Sequence, residues 1–309
     1  MAVLPPLNQI AIVGIWIETV LYGVNCVLYG LCMFVLLRGA KTAPLRFMLV
    51  VMSTILFLLC TVHVGASLRQ LLEAFVYAPT DVPYYSITYW LDLAAAPRVL
   101  KGFLFGTLVL AQDFILIWRL YVVFMCNWKV IILPIILAAG CVGSAYAATA
   151  VSTIPKDGLY SSTLTSLVIS AWAFGFTLNA SVTGSIVVRL WRLGRTMALG
   201  AMSSNRFASS IYIVIESGAI SAIANAIMLA MFASNNPASL FVMDITAQVT
   251  ALTPLLIVVQ VGHIGQDRIS TTDLSKMPPK ARGIVTFRAG QDSLLDTQSR
   301  WASSTGTEV

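Results

Sequence analysis

Charge is scarce in this chain of 309 residues: 10% of them are Asp, Glu, Lys or Arg, against about a quarter in an ordinary soluble domain. Together with 58% hydrophobic residues and a mean hydropathy of +0.85, this excludes a soluble globular protein. Histidine is nearly absent too. Only His63 and His263 occur, so the multi-histidine site of a seven-span zinc hydrolase, often built on an H-x-x-x-H pair, lacks its ligands. Cysteine is missing from every outer loop; Cys26, Cys32, Cys60, Cys126 and Cys141 fall in apolar runs or at the inner edge of one, which leaves no extracellular disulfide. There is no glycine-rich phosphate loop, nucleophile elbow or cysteine pair at metal spacing. An enzyme, a cofactor and a metal are therefore not expected. The first nine residues carry no Lys or Arg and the run behind them is too long for a signal-peptide core, so it is expected to remain as a span.

What is present is length of apolar chain. Seven runs cover about Ile12–Leu37, Leu45–Ala66, Val99–Trp118, Val130–Val151, Leu164–Val188, Ser209–Phe232 and Ser239–Gly262. Each approaches or exceeds the roughly 20 residues a helix needs to cross a bilayer. The first, third and fifth connections carry Arg38, Lys41, Arg46, Arg119, Lys129, Arg189, Arg192, Arg195 and Arg206 and no acid. The opposite side holds Arg69, Arg98 and Lys156 against Glu73, Asp81, Asp92 and Asp157. The positive-inside rule then predicts an all-α, seven-transmembrane helix bundle with its N-terminus outside and its C-terminus cytoplasmic. The net charge of +6 follows from those inner loops and points to the lipid bilayer as partner, not to nucleic acid.

The predicted organisation is a membrane domain, 1–262, and a disordered cytoplasmic tail, 263–309. The tail mixes six basic with five acidic residues and is rich in Ser, Thr, Gly and Pro. Its clusters Ser270-Thr271-Thr272 and Ser303-Ser304-Thr305 are either phosphorylation sites or unmodified flexible chain. Cys126 is either a palmitoylation site or a small interfacial residue. The sequon at Asn179 lies mid-span and is expected to be unused. The outer connection between the second and third runs holds Tyr77, Tyr84, Tyr85, Tyr89 and Trp90, either as the floor of a ligand site or as an interfacial belt. Close packing is expected along Gly218, Ala222, Ala226 and Ala230, and where Leu21-Tyr22-Gly23 recurs as Leu28-Tyr29-Gly30. Pro134 and Pro254 lie inside runs and are candidate kinks.

Charges inside a bilayer are costly, so each should face the bundle and find a partner. The intramembrane set is Glu18, His63, Lys101, Asp113, Glu216 and Asp244, with Arg119 near the inner edge. At about 1.5 Å per residue, Glu18, His63 and Asp244 reach similar depths in the outer leaflet, and they form a candidate polar cluster. It would serve either as a ligand or proton site or as a structural clamp. Asp113 is a candidate mid-membrane polar residue. Arg119 and Glu216 are a candidate inner lock between the third and sixth spans. Arg189, Arg192 and Arg195 form a candidate cytoplasmic interface for a signalling protein.

Several strings resemble a family of uncharacterised seven-span integral membrane proteins of mushroom-forming (basidiomycete) fungi. They are Gln112-Asp113, Ile117-Trp118-Arg119-Leu120-Tyr121-Val122, Asn127-Trp128-Lys129-Val130-Ile131-Ile132-Leu133-Pro134, Glu18-Thr19-Val20-Leu21-Tyr22-Gly23, His63-Val64, Ile215-Glu216-Ser217-Gly218-Ala219, and Thr253-Pro254-Leu255 leading to Val261-Gly262. The resemblance covers residues 15–265 and implies a membrane fold with no assigned ligand or reaction. Rhodopsin-type signatures are missing: Trp118-Arg119-Leu120-Tyr121 keeps only the Arg of an acid-Arg-Tyr motif, Thr253-Pro254 is followed by aliphatic residues, and the seventh run has no retinal-binding Lys. Three functions remain in play. They are an orphan receptor-like sensor of a small or lipophilic ligand, a proton-coupled or facilitative transporter, and a structural membrane protein. The expected location is a membrane, plasma or internal.

Overall fold

The computed structural model describes residues 7–38, 43–79, 81–154, 162–198, 204–234, 236 and 238–276, with side chains at 38, 43–45, 193–198, 204–217 and 260–276 outside the description. The described residues are helical, with no strand. The elements are α1 (Leu7–Arg38), α2 (Ala43–Leu71), α3 (Tyr85–Leu91), α4 (Ala96–Val123), α5 (Ile132–Ser152), α6 (Ser162–Ala198), α7 (Ser204–Ala233) and α8 (Ser239–Lys276). Among them α1, α2, α4, α5, α6 and α8 carry stretches long and apolar enough to cross a membrane, and α7 contributes a shorter one, Gly218–Ala233. Their outward faces are apolar, with Trp16, Val27, Phe47, Leu58 and Ile136 all exposed. Such a continuous apolar surface is untenable in water and fits lipid. The chain is a helical, multi-pass membrane protein.

Consecutive helices pack in turn, α1 on α2, α2 on α4, α4 on α5, α5 on α6 and α6 on α7, with α4 also touching α6. α8 is the enclosed one: 72% of its apolar window is buried. It is tied to α1 through Asn25 and Gln248, to α4 through Lys101 and Asp244, and to α7 through Ser221 and Thr253. The largest apolar cluster joins Leu56, Phe105, Leu108, Trp172, Met228, Ala247 and Ala251 from five helices.

Several local expectations are corrected. Pro134 is no kink: it is the third residue of α5, in the first turn, where a missing N–H breaks no helical bond. The connection between α2 and α4 is mostly ordered as a π-helical turn, Leu72–Val76, and α3. Its Trp90 is neither a site floor nor a belt residue. The ring is 1% exposed and packs edge-on to Phe241 and Tyr89, plugging that end of the bundle with Ala11, Ile15 and Ala74. Backbone helix also runs past residue 263 to Lys276, with Pro254 inside it. The chain divides into two units, 1–261 and 262–309. The tail clusters at 303–305, the turn around Lys156 and the side chains of Ser270, Thr271 and Thr272 lie outside the described residues.

The small residues do not all work where periodicity placed them. Gly23 and Gly30 are exposed with open space around a would-be Cβ. The tyrosines beside them make the contacts, Tyr22 to Thr61 and Tyr29 to Thr54, with the Tyr29 ring stacked 4.4 Å from Phe57. On α7 only Gly218 of the expected row is pressed against a neighbour, Thr183 of α6, while Ala226 and Ala230 are exposed. The tightest approaches elsewhere are Gly14 to Phe241, Gly102 to Thr149 and Gly106 to Tyr146. A Cβ on Gly106 would lie 2.6 Å from the Tyr146 ring. Gly106→Ala is therefore expected to cost about 1–3 kcal/mol by overpacking. Gly23→Ala should instead gain up to about 1 kcal/mol of helix propensity. Thermal unfolding of the two variants in detergent micelles checks this; equal effects would contradict the packing of α4 on α5.

Candidate functional site

The structure brings Glu18 of α1, His63 of α2 and Asp244 of α8 together in the interior. His63 Nδ1 lies 2.6 Å from Glu18 Oε1, and its Nε2 faces Asp244 Oδ1 at 4.0 Å. Glu18 and His63 are fully buried and Asp244 nearly so. Glu18 also accepts from Ser67 Oγ at 2.7 Å and from Gln248 Nε2 at 3.4 Å, and Gln248 in turn accepts from Asn25 Nδ2. Sequence depth alone left Lys101 without a partner. Its ammonium forms an ion pair with Asp244 Oδ1 at 2.7 Å and donates to Gln70 Oε1 at 2.9 Å. One polar chain thus runs Asn25, Gln248, Glu18, His63, Asp244, Lys101, Gln70 across four helices.

Two carboxylates and one ammonium leave one negative charge, which an imidazolium lying between the carboxylates would cancel. The ligand atoms of Glu18, His63 and Asp244 lie within 4.8 Å of one another, a spacing from which a metal ion could be held. Both Glu18 oxygens are already hydrogen-bonded and Lys101 is paired with Asp244, while His63 Nε2 has no hydrogen-bond partner. A divalent cation would have to displace a neighbouring ammonium. The arrangement is that of an electrostatic clamp centred on Glu18.

Asp113 is different. It lies 1% exposed in the middle of α4, and its Oδ2 has no hydrogen-bond partner. It borders a cavity of about 110 Å³ between α4, α5, α6, α7 and α8. Phe105, Val109, Val168 and Trp172 form apolar walls, and Asn179 and Asn225 stand among the polar residues. Phe105 and Trp172 hold each other with ring centroids 5.4 Å apart. Asn179, which the sequence singled out only as a buried sequon, is 5% exposed and its Oδ1 is also unpartnered. No described residue lining it is basic. A second cavity of about 120 Å³, bordered by Arg98, shares Gly102, Ala148, Val168, Trp172 and Met243 with the first.

At the other end of α4, Arg119 is half-buried. The Glu216 side chain, and with it the inner lock, lies outside the described residues, as does the side chain of Arg195. Arg189 is half-buried with its guanidinium 5.6 Å from the Phe124 ring centroid, and Arg192 is exposed. Cys126 is exposed just past α4, in a left-handed conformation at φ 63° that follows another at Met125.

Fold and site together define a polytopic helical membrane protein with a polar clamp and a separate internal cavity. No family model, curated protein or solved structure matches the chain.

Proposed function

We propose that this protein is a seven-span, receptor-like sensor of a small lipophilic ligand, with its N-terminus outside and Arg189, Arg192 and Arg195 on a cytoplasmic face that meets a signalling partner. Membership of the fungal membrane-protein family that its strings resemble is part of this reading. The observation that carries it is the cavity beside Asp113. A buried carboxylate oxygen without a partner is costly, and a residue kept only for stability would have it satisfied as both oxygens of Glu18 are. The basic inner loops support the orientation. α4 supplies both a cavity wall and, a few turns on, Arg119 and the exposed Cys126, so a ligand that biases α4 has a route to the inner surface. No catalysis is proposed.

Cys126 makes the test direct. In intact cells a membrane-impermeant maleimide should leave Cys126 unlabelled until the membrane is permeabilised; labelling from outside reverses the topology. In proteoliposomes, an environment-sensitive fluorophore on Cys126 should respond to a lipophilic ligand with no accompanying solute flux. Flux abolished by Asp113→Asn would favour a transporter. Neither response across a broad small-molecule panel would favour a structural protein and end the sensor reading.

A further inference from the structure

The hydrogen-bonding groups around the Asp113 cavity divide unevenly. Gln112 spends its Nε2 on Ser221 Oγ at 3.0 Å, and Thr250 spends its hydroxyl on the Thr246 carbonyl at 2.8 Å. Cys141 points its thiol at the Ala171 carbonyl, 3.3 Å away. Asn179 donates its Nδ2 to the Gly175 carbonyl at 3.2 Å. That last bond fixes the amide's orientation, since a carbonyl only accepts. One donor of each of these four residues is thus turned into its own helix or a neighbour. Two acceptors remain unpartnered, Asp113 Oδ2 and Asn179 Oδ1. A ligand complementary to this lining brings N–H donors and positive charge, because no basic side chain borders the carboxylate.

Building on the sensor reading above, we infer that the cavity takes a small amine, its nitrogen held by Asp113 and Asn179 and its apolar body lying against Phe105 and Trp172. Size agrees with a compact molecule. A cavity of about 150 Å³ accommodates benzene; this one measures about 110 Å³ and borders a second of about 120 Å³ across a shared wall. Aromatic faces beside an ammonium add cation–π attraction. Charge balance is also kept. The amine arrives as its ammonium and pairs with the Asp113 carboxylate, an ion pair of no net charge in which no bond is made or broken. A free carboxylic acid or a phosphate would bring a second anion to the only charged group among the described residues lining the first cavity and is disfavoured.

The test uses the full chain in lipid nanodiscs, with benzylamine and benzyl alcohol as matched probes and both saturable binding and the unfolding midpoint as readouts. Benzylamine is expected to bind at least tenfold more tightly than benzyl alcohol and to raise the midpoint. Asp113→Asn should remove that preference, and Asn179→Leu should weaken benzylamine severalfold. If Asp113→Asn does not fold, the amine-to-alcohol ratio in the wild-type protein and in Asn179→Leu decides. Equal binding of the two probes, or an unchanged ratio in Asp113→Asn, overturns the amine assignment and leaves the sensor reading standing. Failure of both probes to bind saturably overturns both.

Discussion

Lys101→Met is expected to destabilise the bundle by about 3–5 kcal/mol, the usual cost of removing one partner from a buried ion pair. Asp244 would be left 2% exposed, with the Nε2 of His63 opposite it at 4.0 Å and Arg98 as a more distant cation. The methionine fills the volume of the lysine stem, so the loss would reflect charge and not a cavity. The double variant Lys101→Met/Asp244→Leu removes both charges and should recover most of that loss, since buried pairs replaced by apolar residues are often neutral or better. Equilibrium unfolding in mixed micelles supplies the four corners of the cycle. If the double variant were as unstable as the sum of the singles, Lys101 and Asp244 would be energetically independent, and the clamp as drawn would be wrong.

Asp113→Asn should do the opposite. The side chain keeps its shape while a buried charge with no basic residue among the described cavity lining becomes a neutral amide, so a gain on the order of 1–3 kcal/mol is expected, because an unpaired charge costs more to bury than a neutral polar group. The same chemical change at Glu18 should lower stability, because Glu18→Gln trades a carboxylate held by His63 and Ser67 for an amide whose NH₂ faces one of those donors. Two acid-to-amide variants with opposite signs separate a saturated centre from one held open. Stabilisation by both, measured side by side, would mean that the Glu18 centre is also under-satisfied.

Helical, membrane-spanning character was legible because hydropathy over some twenty residues averages out local accidents. Convergence of Glu18, His63 and Asp244 was legible from depth alone, since equal height on neighbouring helices forces a meeting. Depth says nothing of rotation about a helix axis, and this is why Lys101 had no assigned partner and why Gly23 and Gly30, seven residues apart, were placed on a packing face they do not occupy. Neutral amides left still less trace. Asn25, Gln70, Asn179 and Gln248 sit in apolar runs where hydropathy barely registers them, yet three belong to the clamp and the fourth borders the cavity. Trp90 was misplaced because an aromatic in a polar connection reads as interfacial until a fold shows what it plugs.

Gly102 and Gly106 bring one last consequence. Both border the cavity, and both let α4 press against Thr149 and Tyr146 of α5. Two missing side chains therefore set the spacing of a helix pair and the bore of a chamber at once. No substitution at either position can retune one dimension alone. The size of molecule this protein admits is bound to how tightly it is assembled, and selection for a larger guest would have to pass through a looser bundle.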